Sequence, residues 1–470
     1  MLEVKNLNVV FHQNSSPIIA VKDFSFSIAA GETLGLVGES GSGKTVSSLA
    51  LLGLLNSKNV VLGGNAYFNM QQPVDLLKLN ERQLTAIRGR HIAMIMQEPM
   101  QAFNPIFTCG HQVAETIRKH TSLSKNDATE KVFQLFEKVK LPNPLQISKR
   151  FPHQLSGGQL QRVAIAMAIC CNPSLLIADE PTTALDTSVQ KDILLLLQQL
   201  QSENNMGMLF ISHDLEVVKH IAHHTLVVHA GQMVEQGKTP ILFSHPTHDY
   251  TKELLQSRPS GFKRNKIIGE RNILTVENLY KNFNQRQGLF RSTKNTSNAV
   301  DNIIFTVKQG ETLGIVGESG SGKTTLAKLL LRLIEADSGL IKLNGENLIH
   351  YPIRTEQPWR KKIQAVFQNP HGSLDPVMTV GKQLGEVMKL HDSPQNATIV
   401  KNKIVDWFEK VGLTEQHLNR FPHELSSGQK QRLCIARALI PSPDLLICDE
   451  AVSALDVTVQ AKILELINSL

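Results

Sequence analysis

The chain of 470 residues has no run of about 18 apolar residues, so no membrane-spanning helix is expected and any membrane role would have to come through partners. Its start, Met1-Leu2-Glu3-Val4-Lys5-Asn6, lacks the apolar core of a secretory signal. Cysteine is scarce. The five (Cys109, Cys170, Cys171, Cys434 and Cys448) show neither metal-ligand spacing nor a disulfide framework, which suits a reducing cytosol. A strong excess of one charge is also missing, with 49 basic against 42 acidic residues and a net charge of +7. The basic residues are scattered apart from Lys263-Arg264-Asn265-Lys266, which reads as a solvated linker, so no nucleic-acid partner is expected. What remains is ordinary globular composition, 41% hydrophobic and 19% charged, on a chain too long for one core.

What is present, twice, is a glycine-rich loop. Gly38-Glu39-Ser40-Gly41-Ser42-Gly43-Lys44-Thr45 follows the apolar run Leu34-Gly35-Leu36-Val37, and Gly317-Glu318-Ser319-Gly320-Ser321-Gly322-Lys323-Thr324 follows Leu313-Gly314-Ile315-Val316. Each precedes a helical pattern, so each reads as strand, loop, helix, the context of a phosphate-binding loop. Glycines let backbone N–H groups turn inward around phosphates, and the helix N-terminus adds its partial positive charge. Lys44 or Lys323 would reach the β- and γ-phosphates, and the hydroxyl of Thr45 or Thr324 would hold Mg²⁺. By average residue usage the bare pattern arises at roughly 4 in 10⁵ positions, so two copies in matching contexts mean two nucleotide sites.

The repeat extends further. Lys44 to Lys323 is a shift of 279, Gln97 to Gln368 is 271, and Gln159 to Gln429 and Asp179 to Asp449 are both 270. A constant later shift means a duplicated α/β fold. We expect a first domain over 1–257, a polar linker over 258–271 and a second domain over 272–470. In the first, Leu175 to Ala178 and Met208 to Ile211 are short continuous apolar runs, the pattern of buried parallel strands, ending at Asp179-Glu180 and Ser212-His213-Asp214.

Together these elements resemble the nucleotide-binding domains of ABC transporters, over essentially the whole chain. The resemblance implies ATP and Mg²⁺ as ligands, and in each domain a RecA-like P-loop core, an antiparallel β subdomain and a helical subdomain. Asp179 and Asp449 would serve Mg²⁺, and Glu180 and Glu450 would polarise the attacking water. Gln97 and Gln368 resemble the glutamines that touch Mg²⁺ and link core to helical subdomain; His213 resembles the histidine that contacts the γ-phosphate. Phe11 and Phe283 resemble the aromatics that stack on adenine. Leu155-Ser156-Gly157-Gly158-Gln159 resembles the signature motif, a second anion site at a helix N-terminus. In the family it faces the phosphate loop of the opposite domain, so head-to-tail pairing within the chain is expected. Thr183-Ala184-Leu185-Asp186 and Ser453-Ala454-Leu455-Asp456 resemble the loops lining that interface.

Some positions depart from the pattern. The second signature reads Leu425-Ser426-Ser427-Gly428-Gln429, with Ser427 for glycine, which should weaken rather than abolish it. Val46 stands where Thr325 offers a second hydroxyl, removing one phosphate contact at the first site. The 270 shift puts the second histidine near position 483, beyond Leu470. We therefore expect a shortened second domain, missing a central buried strand and its closing strands, less stable and impaired in hydrolysis.

Ser244-His245-Pro246-Thr247-His248-Asp249-Tyr250-Thr251-Lys252-Glu253-Leu254-Leu255 resembles the C-terminal extension of oligopeptide, dipeptide and nickel importer ATPases. The fused arrangement is most similar to ATPases of microcin C/oligopeptide importers. This implies peptide uptake at the cytoplasmic face of the inner membrane, with two permease subunits docking on 98–155 and 370–424 and a periplasmic binding protein beyond them. A fused sugar-importer ATPase is the nearest competitor, and the 245–255 stretch argues against it. A ribosome-associated ABC protein would carry a long charged helical linker, whereas this one is short and irregular.

Overall fold

The computed structural model describes residues 1–12, 17–39, 41–55, 59–70, 72–183, 185–256, 269–285, 295–318, 320–352, 357–367, 370–391, 397–452 and 457–469. Its contacts divide the chain into two units, Met1–Arg258 and Pro259–Leu470. Among the described residues, no helix is long and apolar enough to cross a membrane.

The first unit is built on ten strands: β1 (Leu2–His12), β2 (Pro17–Ile28), β3 (Thr33–Val37), β4 (Val60–Asn69), β5 (Pro73–Asp75), β6 (Ile92–Ile95), β7 (Leu175–Asp179), β8 (Gly207–Ile211), β9 (His224–His229) and β10 (Gln232–Lys238). Their order is β5-β4-β1-β2-β10-β9-β3-β8-β7-β6. From β9 to β6 the neighbours run parallel, whereas β1 pairs antiparallel with β2 and β4. The two halves touch through one register point, Gln232 with Lys22. All residues of β3, β7 and β8 are buried, as their unbroken apolar runs predict for strands covered on both faces.

Helices lie between these strands where caps and periodicity place them. Helix Lys125–Lys138 starts at Ser124, whose hydroxyl accepts from the Asp127 amide, and it buries Ala128, Val132, Leu135 and Phe136. Helix Gly157–Ile169 buries Leu160, Val163, Ile165 and Ala166 in the same core.

The second unit repeats part of this plan. β11 (Asn272–Gln285), β12 (Asn295–Lys308), β13 (Ser338–Leu343) and β14 (Glu346–Asn347) form a sheet ordered β12-β11-β13-β14, and β15 (Ile363–Val366) pairs parallel with β16 (Leu445–Cys448). One expectation fails here: Leu313 to Val316 forms no strand. In the first unit β3 is hydrogen-bonded on both edges, to β8 and β9. Among the described residues no strand of the second unit pairs with the backbone from 311 to 318, so its amides and carbonyls join no ladder there. The side chains follow. Val37 is 1% exposed, and Val316, 279 positions later, is 96% exposed.

Candidate nucleotide site

The parallel register of the first unit brings four strand ends to one edge. Ile95 of β6 is level with Ala178 of β7, and Ile211 of β8 is level with Asp179 on one side and Leu36 of β3 on the other. The segments leaving that edge are Gln97, the acidic pair, Ser212-His213-Asp214 and the glycine loop. This is where open α/β sheets bind ligands, outside the carboxyl ends of their strands.

In the loop, Lys44 is 5% exposed and its Nζ donates to the carbonyls of Gly38 at 2.7 Å and Glu39 at 2.8 Å. Gly43 has φ +98° and must be glycine on a second count: a Cβ there would lie 2.4 Å from the Ala20 carbonyl oxygen of β2. Thr45 lies in the first turn of helix Lys44–Leu51, and its hydroxyl acts on the Asp179 carboxyl, holding its pKa down. Val46 packs against the core of β1, β2 and β4.

Asp179 is 1% exposed, and its Oδ1 has no hydrogen-bond partner among the described residues. Burial pushes its carboxyl up to about 6; the Thr45 hydroxyl opposes that, the Glu180 charge adds to it, and the Lys44 charge opposes it. An orphaned buried carboxylate oxygen beside a threonine hydroxyl fits a small divalent cation that prefers oxygen ligands.

Glu180 is held differently. Its Oε2 accepts from Gln97 Nε2 and Thr183 Oγ1, both at 2.9 Å, and His213 Nδ1 lies 3.1 Å away. Burial alone would raise its pKa, but the His213 bond and field, the Thr183 bond and the Lys44 charge outweigh it and lower it. Its backbone is left-handed, φ +47°, and Glu450 repeats this at +49°. Proline follows Glu180 and alanine follows Glu450, so the strand-end turn sets this conformation, not the proline. Such backbone costs on the order of 1–3 kcal/mol and concentrates at functional sites. His213 is placed by its neighbours: Ser212 Oγ accepts the Asp214 amide, and Asp214 caps helix Leu215–Ile221 through the amides of Glu216 and Val217.

The second loop repeats the first in detail. Lys323 Nζ donates to Gly317 and Glu318 carbonyls at 2.6 and 2.8 Å, and a Cβ on Gly322 would lie 2.0 Å from the Ala299 carbonyl oxygen. Around it the site is more open, with Lys323 and Asp449 half-buried and Thr324 and Glu450 exposed. Phe11 pairs with Ile18, two residues from Ala20; Phe283 pairs with Ser297, two residues from Ala299. Both phenylalanines thus sit one strand from their loop. Phe283 is 43% exposed with the Lys281 ammonium 5.6 Å from its ring centre.

Ser156 caps helix Gly157–Ile169 in a reciprocal box with Gln159, and Ser426 does the same with Gln429 for helix Ser427–Leu439. Gly158 faces the helix that Asp186 opens: a Cβ there would meet Val189 Cγ1 at 2.7 Å. Gly157 is less constrained, its nearest neighbour Leu185 Cδ2 being 3.6 Å from such a Cβ. Ser40, Ala184, Ser319, Gln368, the 453–456 stretch with Asp456, and most of the expected linker lie outside the described residues.

Two residues of this neighbourhood escaped the sequence reading as site residues. Thr183 bonds Glu180 because a turn folds it back, its amide reaching the Glu180 carbonyl at 3.2 Å. Tyr250 of the extension places its hydroxyl 3.3 Å from the Glu39 amide. Nothing local in the sequence marks a contact across 211 residues.

A duplicated P-loop unit with a paired acid at the end of a buried strand, and a serine-glycine turn capping a nearby helix, defines an ATP-binding cassette. The chain belongs to the ABC transporter family, whose pattern matches residues 21–183 and again 300–453. It is 42% identical to a glutathione import ATP-binding protein of Salmonella typhimurium and 40% identical to that of Escherichia coli (strain K12). Each match covers 100% of this chain and 80% of the relative. A solved ATP-binding cassette dimer bound to ADP and phosphate is 26% identical with a TM-score of 0.46, covering 51% of this chain and 99% of that one. The protein is an ATP-binding, ATP-hydrolysing subunit of the ABC type.

Proposed function

We propose that this ATPase powers import of short peptides, glutathione among them, from the cytoplasmic face of the inner membrane. It would act with two membrane-spanning permease subunits and, indirectly, a periplasmic binding protein. The observation that carries the reading is 40–42% identity to glutathione importers over the whole chain, including the extension Ser244–Leu255.

At the first site, the amides of Gly38–Thr45 and the Lys44 ammonium would bind the ATP phosphates, and Phe11 would pack on adenine. Thr45, Asp179 and Gln97 would hold Mg²⁺, which shields phosphate charge. With Glu180 Oε2 engaged by Gln97, Thr183 and His213, Oε1 is the oxygen left to take a proton from the attacking water. The Ser156–Gln159 turn would close over the phosphate loop of the other unit, and Ser426–Gln429 over the first, with Asp186 and Asp456 between them. Thr324, Asp449 and Gln368 would serve the metal at the second site, and Glu450 the water, less well because that site is more open.

The test is uptake of labelled glutathione and labelled di- and oligopeptides in cells carrying the chain with its permeases. Substituting Glu180→Gln should abolish peptide uptake. Uptake of a sugar instead, or peptide uptake untouched by Glu180→Gln, would overturn the reading.

A further inference from the structure

The extension after β10 has no assigned part in the chemistry, yet it reaches the phosphate loop. Glu235 of β10 accepts the Thr247 amide and hydroxyl, each at 2.8 Å, and the His248 amide at 3.1 Å, which pins the start of helix Asp249–Gln256. Leu254 anchors the same helix in the core at 4% exposure. Between these two anchors Tyr250, 8% exposed, stacks its ring on His229 at the end of β9, with centroids 4.0 Å apart. Its hydroxyl oxygen accepts the Glu39 amide. The Glu39 carbonyl in turn accepts the Lys44 ammonium.

We propose that Tyr250 is a positioning residue for the first nucleotide site, fixing Glu39 so that its carbonyl holds Lys44 where the phosphates arrive. The inference rests on Gly38–Thr45 being the phosphate loop. Glu39 is the only link needed. Its amide is fixed from outside by the extension, and its carbonyl faces inward to the lysine. An anchor from outside restrains the loop before nucleotide arrives, so less ordering is left to pay for on binding. Seating of the extension thereby becomes a condition for tight nucleotide binding.

The experiment uses the full chain with Lys323→Ala to silence the second loop, and measures affinity for a fluorescent ATP analogue and the thermal midpoint. Tyr250→Phe keeps the ring on His229 and removes only the hydroxyl. Loss of one such hydrogen bond corresponds to about three- to tenfold weaker binding, with the midpoint unchanged. In steady-state assays without Lys323→Ala, the KM for ATP should rise while kcat stays within about twofold. Unchanged affinity in Tyr250→Phe would overturn the proposal. So would a lowered midpoint with an affinity loss that Leu254→Ala reproduces, since that marks a purely structural hydroxyl. Lys44→Ala separates the two levels. If it too leaves binding intact, the phosphate-loop reading fails; if it abolishes binding while Tyr250→Phe does nothing, only the tyrosine's role fails.

Discussion

Two neighbouring carboxylates, Asp179 and Glu180, are pushed in opposite directions. Asp179 is raised to about 6 by burial, and Glu180 is lowered by the donors around it. A carboxyl whose folded pKa exceeds its unfolded value costs stability once ionised. That cost is absent below about pH 4 and grows as pH rises toward and past 6. At pH 7.5 without nucleotide it amounts to about 3 kcal/mol at most by linkage. Asp179→Asn should therefore raise the thermal midpoint at pH 7.5 and lose that advantage as pH falls below 6, while metal-dependent hydrolysis is lost; melting curves at pH 7.5 and 5 check the sign. Glu180→Gln should lower kcat by ~10²–10⁴ with ATP binding retained, measured by phosphate release and nucleotide affinity. Thr183→Ala removes one of the groups on Oε2 and should cost less, a few-fold in kcat. Asp179 and Glu180 were legible because strand ends and acidic pairs are local signals. Thr183's bond was not, because it depends on a turn bringing residue 183 back to 180.

The same apolar tetrad motif meets two fates at the level of elements. Leu34–Val37 is a buried strand bonded on both edges, whereas Leu313–Val316 pairs with no strand among the described residues. Val37→Ala should destabilise the first unit by about 1–3 kcal/mol, through lost burial and a cavity. Val316→Ala should change the second by no more than about 0.5 kcal/mol. Hydrogen exchange read separately for peptides of each unit checks both. The loop that follows is nonetheless built alike in both units, with the same lysine bonds and the same glycine against a β-strand carbonyl. Its geometry comes from the loop's own glycines and the adjoining hairpin, which both copies possess.

At the scale of the whole molecule, the two sites differ in how far they enclose their residues. The first encloses its acids and sets its lysine 5% exposed, while the second leaves Glu450 exposed. Hydrolysis by this chain should thus fall far more with Glu180→Gln than with Glu450→Gln; equal losses from both would contradict the asymmetry. Head-to-tail pairing of the units makes a separate prediction. A thiol crosslinker should join Ser156→Cys to Ser321→Cys in one chain when ATP is present and Glu180→Gln with Glu450→Gln blocks hydrolysis at both sites, seen as an electrophoretic shift. Crosslinking that ignores ATP would count against ATP-driven closure.

By itself the sequence determined the duplication, the class of fold, and the place of the two glycine-rich loops and the strand-end acidic pairs, since each rests on residue types at short fixed spacing. Strand burial was equally open to reading, because β7 and β8 are continuous apolar runs. Tertiary structure alone decided what distance in the chain conceals. It set which strand ends share an edge, the three groups gathered on Glu180, the failure of 313–316 to pair, and the reach of Tyr250 to Glu39. These depend on hydrogen-bond partners supplied from elsewhere, and the same local pattern takes a different form wherever those partners differ.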